Sequence, residues 1–465
     1  MSAQLSNLIT LKTWCFASVL STVALLGGCS SSSSEDSDSP IINDPISSSV
    51  SELGEIDLDL AYDPDGNIVR TEIVQVSGST ATQQTGTFLF QAPAVTEDET
   101  LVFEVSVTDN SGQTTTKRIS VTVVANPGLD DANFDDEQLA SCFSDNVAEN
   151  ANSANPWQEL YDVETLDCIG YVVDDLNGIQ SLINLENFYV GDEDNASSLS
   201  DLTPLSDLSG LKALYLYNNE VTDLSLLSNF EGFNNLHLIN VPLDSFDSIA
   251  NIQNLAFLHL IDMPLENLDF IAGHSQMKSL FLDNNGLSDI SVVSNFSELE
   301  GLRLNRNNVT DLDALNGLVQ LKTIKVVDVP LEDISAVASL TNLELIKLQR
   351  TQVADIDDLV NLERLVDVSL GRSPIENLNA LASMSSLNNL VYIELDVTDF
   401  SFLASLNQIQ TLSFAEANLE DYSVFYDLDF LNSLELKLPD EFDCDELAEV
   451  ESNLPTTRVI SDLDC

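Results

Sequence analysis

The sequence predicts an α/β solenoid, with parallel strands on a concave face and short helices or 3₁₀ turns on a convex face, preceded by a small all-β sandwich. Three observations carry that expectation. The first is a 22-residue period. Ten consecutive units start at Leu211, and Leu299 to Gln320 (LEGLRLNRNNVTDLDALNGLVQ) is representative of them. Apolar residues recur at unit positions 1, 4, 6, 11, 14, 17 and 20, and 69 of these 70 anchors are hydrophobic, where a 44% hydrophobic chain would give roughly 31 by chance. His274 is the exception. The second is local: positions 4 and 6 are buried types while position 5 is not, the alternation of a short strand. The third lies upstream, where 52–125 alternates with period two between Asp-Gly, Ser-Gly and Pro turn signals.

One coil cannot bury its apolar side alone, so coils must stack. Two more units fit ahead of the ten, one beginning at Val163 and one at Leu185, the latter with four extra residues in GDEDNASS before the frame resumes at Leu199. Position 9 is Asn at Asn219, Asn285 and Asn307, whereas Val241-Pro242, Met263-Pro264 and Val329-Pro330 stand there in other units. Proline has no N–H to satisfy, so those coils need the asparagine less. The pattern L-x-x-L-x-L-x-x-N at this period resembles the leucine-rich repeat in the bacterial form of internalin-like proteins. That resemblance spans about 130–465 and implies a leucine-rich repeat solenoid.

Residues 1–28 hold one early lysine, Lys12, and the apolar run WCFASVLSTVALLGG, which is short for a membrane span and reads as an export signal. Leu26-Gly27-Gly28-Cys29 resembles the lipobox of bacterial lipoproteins, which implies cleavage before Cys29 and lipidation of its thiol. A plain secretory signal is the alternative. Ser30 after the cysteine, by the same resemblance, implies delivery to the outer membrane of a Gram-negative cell, with the lipid as the membrane contact. Residues 29–51, polar and acidic, are expected to form a flexible tether.

The segment 52–125 is expected to be a β-sandwich; DPDG, VTDNSG and the closing VTVV resemble Ig-like, PKD-type or cadherin-like modules of bacterial surface proteins. Asp63, Asp65 and Asp109 could hold Ca²⁺, but Asp is also what turns select. Residues 126–162 read as a helical cap over the first coil, 163–436 as the repeats, about twelve full coils and a partial one, and 437–465 as a closing cap.

Four cysteines remain once Cys15 and Cys29 are set aside with the signal and the lipid. In an exported chain they are expected to oxidise. Pairing Cys142 with Cys168 and Cys444 with Cys465 uses all four. Other pairings would bridge ends roughly 55–60 Å apart, for about a dozen strands at ~4.8 Å. Zinc is the rival use, but no histidine stands near either pair.

The formal charge is −61, from 77 Asp and Glu against 16 Lys and Arg. Nucleic acid is thereby an improbable partner, as is an anionic membrane surface. Part of this acidity has a structural use. Position 13 of the twelve units is Asp175, Asp201, Asp223, Ser245, Asn267, Asp289, Asp311, Asp333, Asp355, Asn377, Asp399 and Asp421, all helix-capping types. Stacking brings these like charges together, and salt screens their repulsion. The protein is therefore expected to melt at higher temperature in seawater-like salt or in Ca²⁺ than at low ionic strength, and thermal scans across that range giving a flat or falling midpoint would contradict this.

Position 5 and its outward neighbours 3, 7 and 8 face the concave sheet. The scarce cations gather there: Arg303, Lys325 and Lys347 at position 5, and Arg306, Arg350 and Arg372 at position 8. Tyr215, Tyr217, His237, Phe257, His259 and Phe281 lie on the coils before them. An aromatic patch beside a cationic strip suits an acidic protein or an anionic polysaccharide. The alternative is that the cations merely offset acids such as Asp283 and Asp328.

Three histidines, no phosphate loop, no H-E-x-x-H and no G-x-S-x-G make catalysis improbable. His237 and His259 are two metal-ligand types without a third. Two readings follow: a tethered adhesion or interaction module, or an envelope-organising lipoprotein facing the periplasm. No cofactor other than Ca²⁺ is suggested.

Overall fold

The computed structural model describes residues 38–462 apart from 46, 65, 396, 416–420 and 438–443. The expected signal and Cys29, and also Asp65 and Cys465, lie outside the described residues. The chain divides into two compact units, Met1–Ala125 and Asn126–Cys465.

In the first unit, long antiparallel strands at Ile68–Ser77, Glu99–Asp109 and Thr114–Val124 form one sheet, joined at its edge by Ser49–Ser51. Glu55–Asp57, Leu89–Gln91 and Thr82–Gln83 form another. The alternate residues Leu101, Phe103, Val105 and Val107, with Ile119, Val121 and Val123 beside them, are buried against Ile56, Leu58 and Phe90. This is the period-two burial read from the sequence.

The expected tether is shorter than 29–51. Ile41–Ile42 pairs antiparallel with Ala61–Tyr62, and Ser49–Ser51 runs parallel to Thr122–Val124. Ile42 enters the sandwich core, and its burial draws the preceding segment into the fold. At the turn between the strands Glu99–Asp109 and Thr114–Val124, Asp109 Oδ1 accepts from the Ser111 N–H at 2.8 Å, the Ser111 hydroxyl at 2.7 Å and the Gln113 N–H at 2.8 Å. That oxygen is committed to the turn between two strands, the use that turns make of Asp.

The second unit is one parallel sheet of fourteen strands among the described residues, in strict chain order from Thr165–Ile169 to Arg458–Ser461. Most successive strands pair with a 22-residue offset, as in Leu302 with Ile324 and Ile324 with Ile346, while Tyr189 with Tyr215 spans 26 and Ser433 with Arg458 spans 25. Nearly all the described anchors are buried in one continuous core; Leu243, Phe246 and Tyr422 are half-buried, and His274 sits in the core at 7% exposure. The backs of the coils are mostly 3₁₀ turns of three to five residues, with one four-residue α-turn at Asp247–Ala250.

All twelve position-13 residues accept the N–H of the residue two places on, from Asp175 with Asn177 at 2.8 Å to Asp421 with Ser423 at 2.9 Å. A 3₁₀ turn begins with N–H groups that have no partner inside it, and this carboxylate or amide supplies one. At position 9, Asn285 and Asn307 donate to Leu260 and Leu282 carbonyls of the preceding coil at 2.8 and 2.7 Å. In one of the three coils with proline, that of Met263-Pro264, the Met263 N–H is taken by Asn285 Oδ1 at 2.8 Å, so a neighbour's asparagine serves it.

The N-terminal cap is the helix Glu137–Asn150, started by Asp136, whose carboxylate accepts from Gln138 and Leu139. Its buried residues Leu139, Cys142 and Phe143 cover the first coil. Cys142 is disulfide-bonded to Cys168, with Cα atoms 5.4 Å apart. Cys444 at the other end is also disulfide-bonded, at the start of the helix Cys444–Asn453. Among the described residues no helix is long and apolar enough to cross a membrane.

Candidate functional site: the outer face of the solenoid sheet

A parallel sheet in register turns a sequence period into a spatial column. Position 5 aligns Tyr189, Tyr215, His237, His259, Phe281, Arg303, Lys325 and Lys347 on eight neighbouring strands. Tyr217 lies one pleat further along its strand and Phe257 one pleat earlier, on the same face. Tyr189, position 5 of the unit that begins at Leu185, joins the column although GDEDNASS sets it 26 residues from Tyr215 rather than 22.

Strand spacing packs the rings against each other. Tyr189 meets Tyr215 edge-on, with centroids 4.3 Å apart. Tyr215 stacks on His237 at 3.6 Å, His237 on His259 at 3.6 Å and His259 on Phe281 at 3.9 Å. The Arg303 guanidinium lies 4.5 Å over Phe281 and pairs with Asp283 at 2.6 Å. Both faces of His237, His259 and Phe281 are thus covered by neighbours. What the column offers a ligand is edges: phenolic hydroxyls, C–H groups and cations.

The two histidines are neutral. His259 Nδ1 lies 3.1 Å from His237 Nδ1, and His259 Nε2 lies 3.1 Å from the Ser279 hydroxyl. A hydrogen bond between two ring nitrogens needs one donor and one acceptor, so the two Nδ1 atoms cannot both carry a proton. Burial lowers His237 to about 3, helped by the Arg303 charge, and burial lowers His259 to about 2, with His237 and Arg303 adding to it.

The cations divide into two groups. Arg303, Arg350 and Arg372 are paired, with Asp283, Asp328 and Glu394 respectively. Lys325, Lys347 and Arg306 have no ion-pair partner among the described residues. Offsetting of nearby acids therefore accounts for half of the strip and leaves three charges open. Burial raises the Asp283 carboxyl, against the lowering effect of Arg303.

Position 8 has a backbone property invisible in the sequence. Nine successive coils place it in the left-handed region, from Asn218 at φ 45° to Glu394 at φ 43°. Asn and Asp accept that conformation readily, whereas Arg306, Arg350 and Arg372, at φ 55°, 51° and 51°, hold it at a cost of ~1 kcal/mol or more each. Arg306 and Arg350 meet Lys347 around one cleft of about 370 Å³ with Asp283 and Asp328. Arg372 sits apart, on Glu394.

Residues 37–122 match the family model described as bacterial Ig domain. Among solved structures, the chain is similar to an internalin (InlF) of Listeria monocytogenes, at 25% identity, over 73% of this chain and 98% of that one, with a TM-score of 0.57. Residues 37–122 are a bacterial Ig domain, and the parallel sheet that follows has the fold of a leucine-rich repeat solenoid. A leucine-rich repeat protein of Leptospira interrogans is also similar, at 17% identity over 64% of this chain and 96% of that one, with a TM-score of 0.48. No curated protein matches the sequence. In the leucine-rich repeat solenoid the aromatic and cationic column therefore occupies the open side of the repeat sheet, the strand side of each coil rather than its 3₁₀ side.

Proposed function

We propose that this chain is a lipid-anchored, surface-displayed interaction module that holds an acidic partner protein on the outer face of its leucine-rich sheet and performs no catalysis. The observation that carries this is the unbroken position-5 column, in which rings stacked edge-outward lead into the open charges of Lys325 and Lys347. Sugar rings are held by stacking on open aromatic faces, and the stacked rings from His237 to Phe281 have none to offer. Ring edges are electropositive, as are the lysines beside them, so the complement is a carboxylate-rich protein surface. Tyrosine and arginine, both present in the column, are among the types that dominate interface energetics. The Leu26-Gly27-Gly28-Cys29 sequence supplies the anchor, and the Ig domain stands between it and the solenoid in the chain.

The test is capture of envelope and cell-surface proteins by the immobilised full-length chain. Arg306→Glu, Lys325→Glu and Lys347→Glu together, the three cations without an ion-pair partner among the described residues, are expected to cut capture at least tenfold with the melting curve close to wild type. The control Arg70→Glu, in the Ig domain, should leave capture unchanged. Equal capture by the triple variant would move the binding face elsewhere. Protease shaving of intact cells tests display: cleavage of the chain is expected, and full protection would put it on the periplasmic side.

A further inference from the structure

One position on the open sheet is vacant of side chain where its neighbours are not. Position 3 runs in register through Phe257, Ser279, Gly301 and Thr323. Glycine in a strand costs stability, so its presence calls for a reason. Backbone conformation is not the reason, because Gly301 is absent from the left-handed residues. Close approach is not the reason either: a Cβ built there would meet only Phe281 Cε1 at 3.8 Å and the Ser279 hydroxyl at 3.9 Å, ordinary contacts. What the glycine leaves is space. The cavity is about 580 Å³, and Phe257, Ser279, Phe281, Gly301 and Thr323 are among its lining residues.

The rim is cationic. Lys278 and Lys325 line the cavity without an ion-pair partner among the described residues, while Lys322 is held by Glu300 at 2.5 Å. Phe257 is 37% exposed, a large ring turned toward solvent at the edge of the opening. An apolar hole with two open ammonium groups beside it has a definite complement: an apolar side chain with carboxylates on either side.

We infer that the Gly301 socket is the anchor point for a large apolar side chain, aromatic or long aliphatic, projecting from an acidic segment of the partner protein. The apolar side chain fills the space over Gly301 between Phe257 and Phe281, and flanking carboxylates meet Lys278 and Lys325. This rests on the reading of the open sheet as the binding face, and it names the chemistry that face selects. Anchors of this kind, seated in a preformed pocket and ringed by polar contacts, carry a large share of an interface's binding energy.

The test uses the full-length chain and three peptides: acetyl-Asp-Trp-Asp-amide, the same with Ala for Trp, and the same with Lys for both Asp. Binding is followed by saturation-transfer NMR titration. The acidic tryptophan peptide is expected to bind at least tenfold more tightly than either control. Gly301→Val, which fills the socket with a strand-favouring residue, should weaken it at least tenfold with an unchanged melting curve. Lys278→Glu with Lys325→Glu should do the same from the rim, and decides the matter if Gly301→Val fails to fold. Equal binding of the three peptides, or full binding by both variants, would overturn the assignment. If Gly301→Val still captures the protein partner that the triple charge reversal loses, the socket falls and the binding face stands. If neither variant affects capture, both fall.

Discussion

Replacing Cys142 and Cys168 by serine is expected to lower stability by roughly 3.5 kcal/mol, from the chain-entropy relation for a closed loop of this length. The bond spans 26 residues and ties the cap helix Glu137–Asn150 to the first strand, Thr165–Ile169. Little else does so as directly: Asn146 donates to the Asp167 carbonyl at 2.8 Å and its side-chain oxygen accepts from the Asp167 N–H at 3.1 Å. Because each coil is stabilised mainly by its neighbours, the loss should begin at the N-terminal end. Hydrogen exchange should therefore show strands such as Thr165–Ile169 and Asn187–Gly191 opening first, with Thr411–Ala415 protected longest. A variant with an unchanged midpoint, or with protection lost evenly along the sheet, would contradict the nearest-neighbour account.

Acid should open the same sheet from its middle. His237 and His259 titrate near 6.5 when unfolded, and are held at about 3 and about 2 in the fold. The unfolded chain therefore binds more protons between those values, so stability rises with pH through this window. The contribution is complete above about pH 6.5 and is lost progressively below it. Two pH units below 6.5, the pair would account for about 5 kcal/mol undiscounted, and roughly half of that once its partial exposure is allowed for. Protonation would also make both Nδ1 atoms donors across their 3.1 Å separation. Denaturant melts at pH 7 and 4.5 measure this. His237→Phe with His259→Phe should remove most of the dependence in that range, leaving the share of the buried His274, and should keep the loss below pH 4, where the turn-capping carboxylates protonate. Asp223 is one of these, held below its ordinary value by the Ser225 hydroxyl and N–H. A wild-type midpoint that stays level down to pH 4.5 would show that the rings are not buried neutral.

Legibility in the sequence followed the period. Arg303, Lys325 and Lys347 are 22 residues apart, and a register fixed by buried anchors has no freedom to place them anywhere but side by side. The same reasoning placed the capping column, since Asx chemistry is local. Tyr189 follows the same rule, because the insertion GDEDNASS comes after its strand and its flanks Phe188 and Val190 keep the alternation of the unit at Leu185. The strands at Ile41–Ile42 and Ser49–Ser51 escaped because two or three residues carry no periodicity; only their partners in the sandwich define them. The left-handed turn at position 8 was hidden where arginine stands in place of the asparagine that would signal it. Ring stacking, which decides between faces and edges, depends on rotamers and on the ~4.8 Å spacing of strands, and neither is written in a linear pattern. Gly301 reads in isolation as a weak point in a strand and acquires meaning only between Phe257 and Phe281.

The central claim is that the partner lies on the strand side of the coils, along the position-5 column. Site-specific photo-crosslinking from single positions of one coil tests it most directly, with the reactive group placed in turn at Thr323 and Lys325 on the sheet and at Asn316 and Val319 on the opposite, 3₁₀ side. The claim predicts covalent capture of the partner from Thr323 and Lys325 and none from Asn316 or Val319. Capture from Asn316 or Val319 with none from the sheet positions would contradict it.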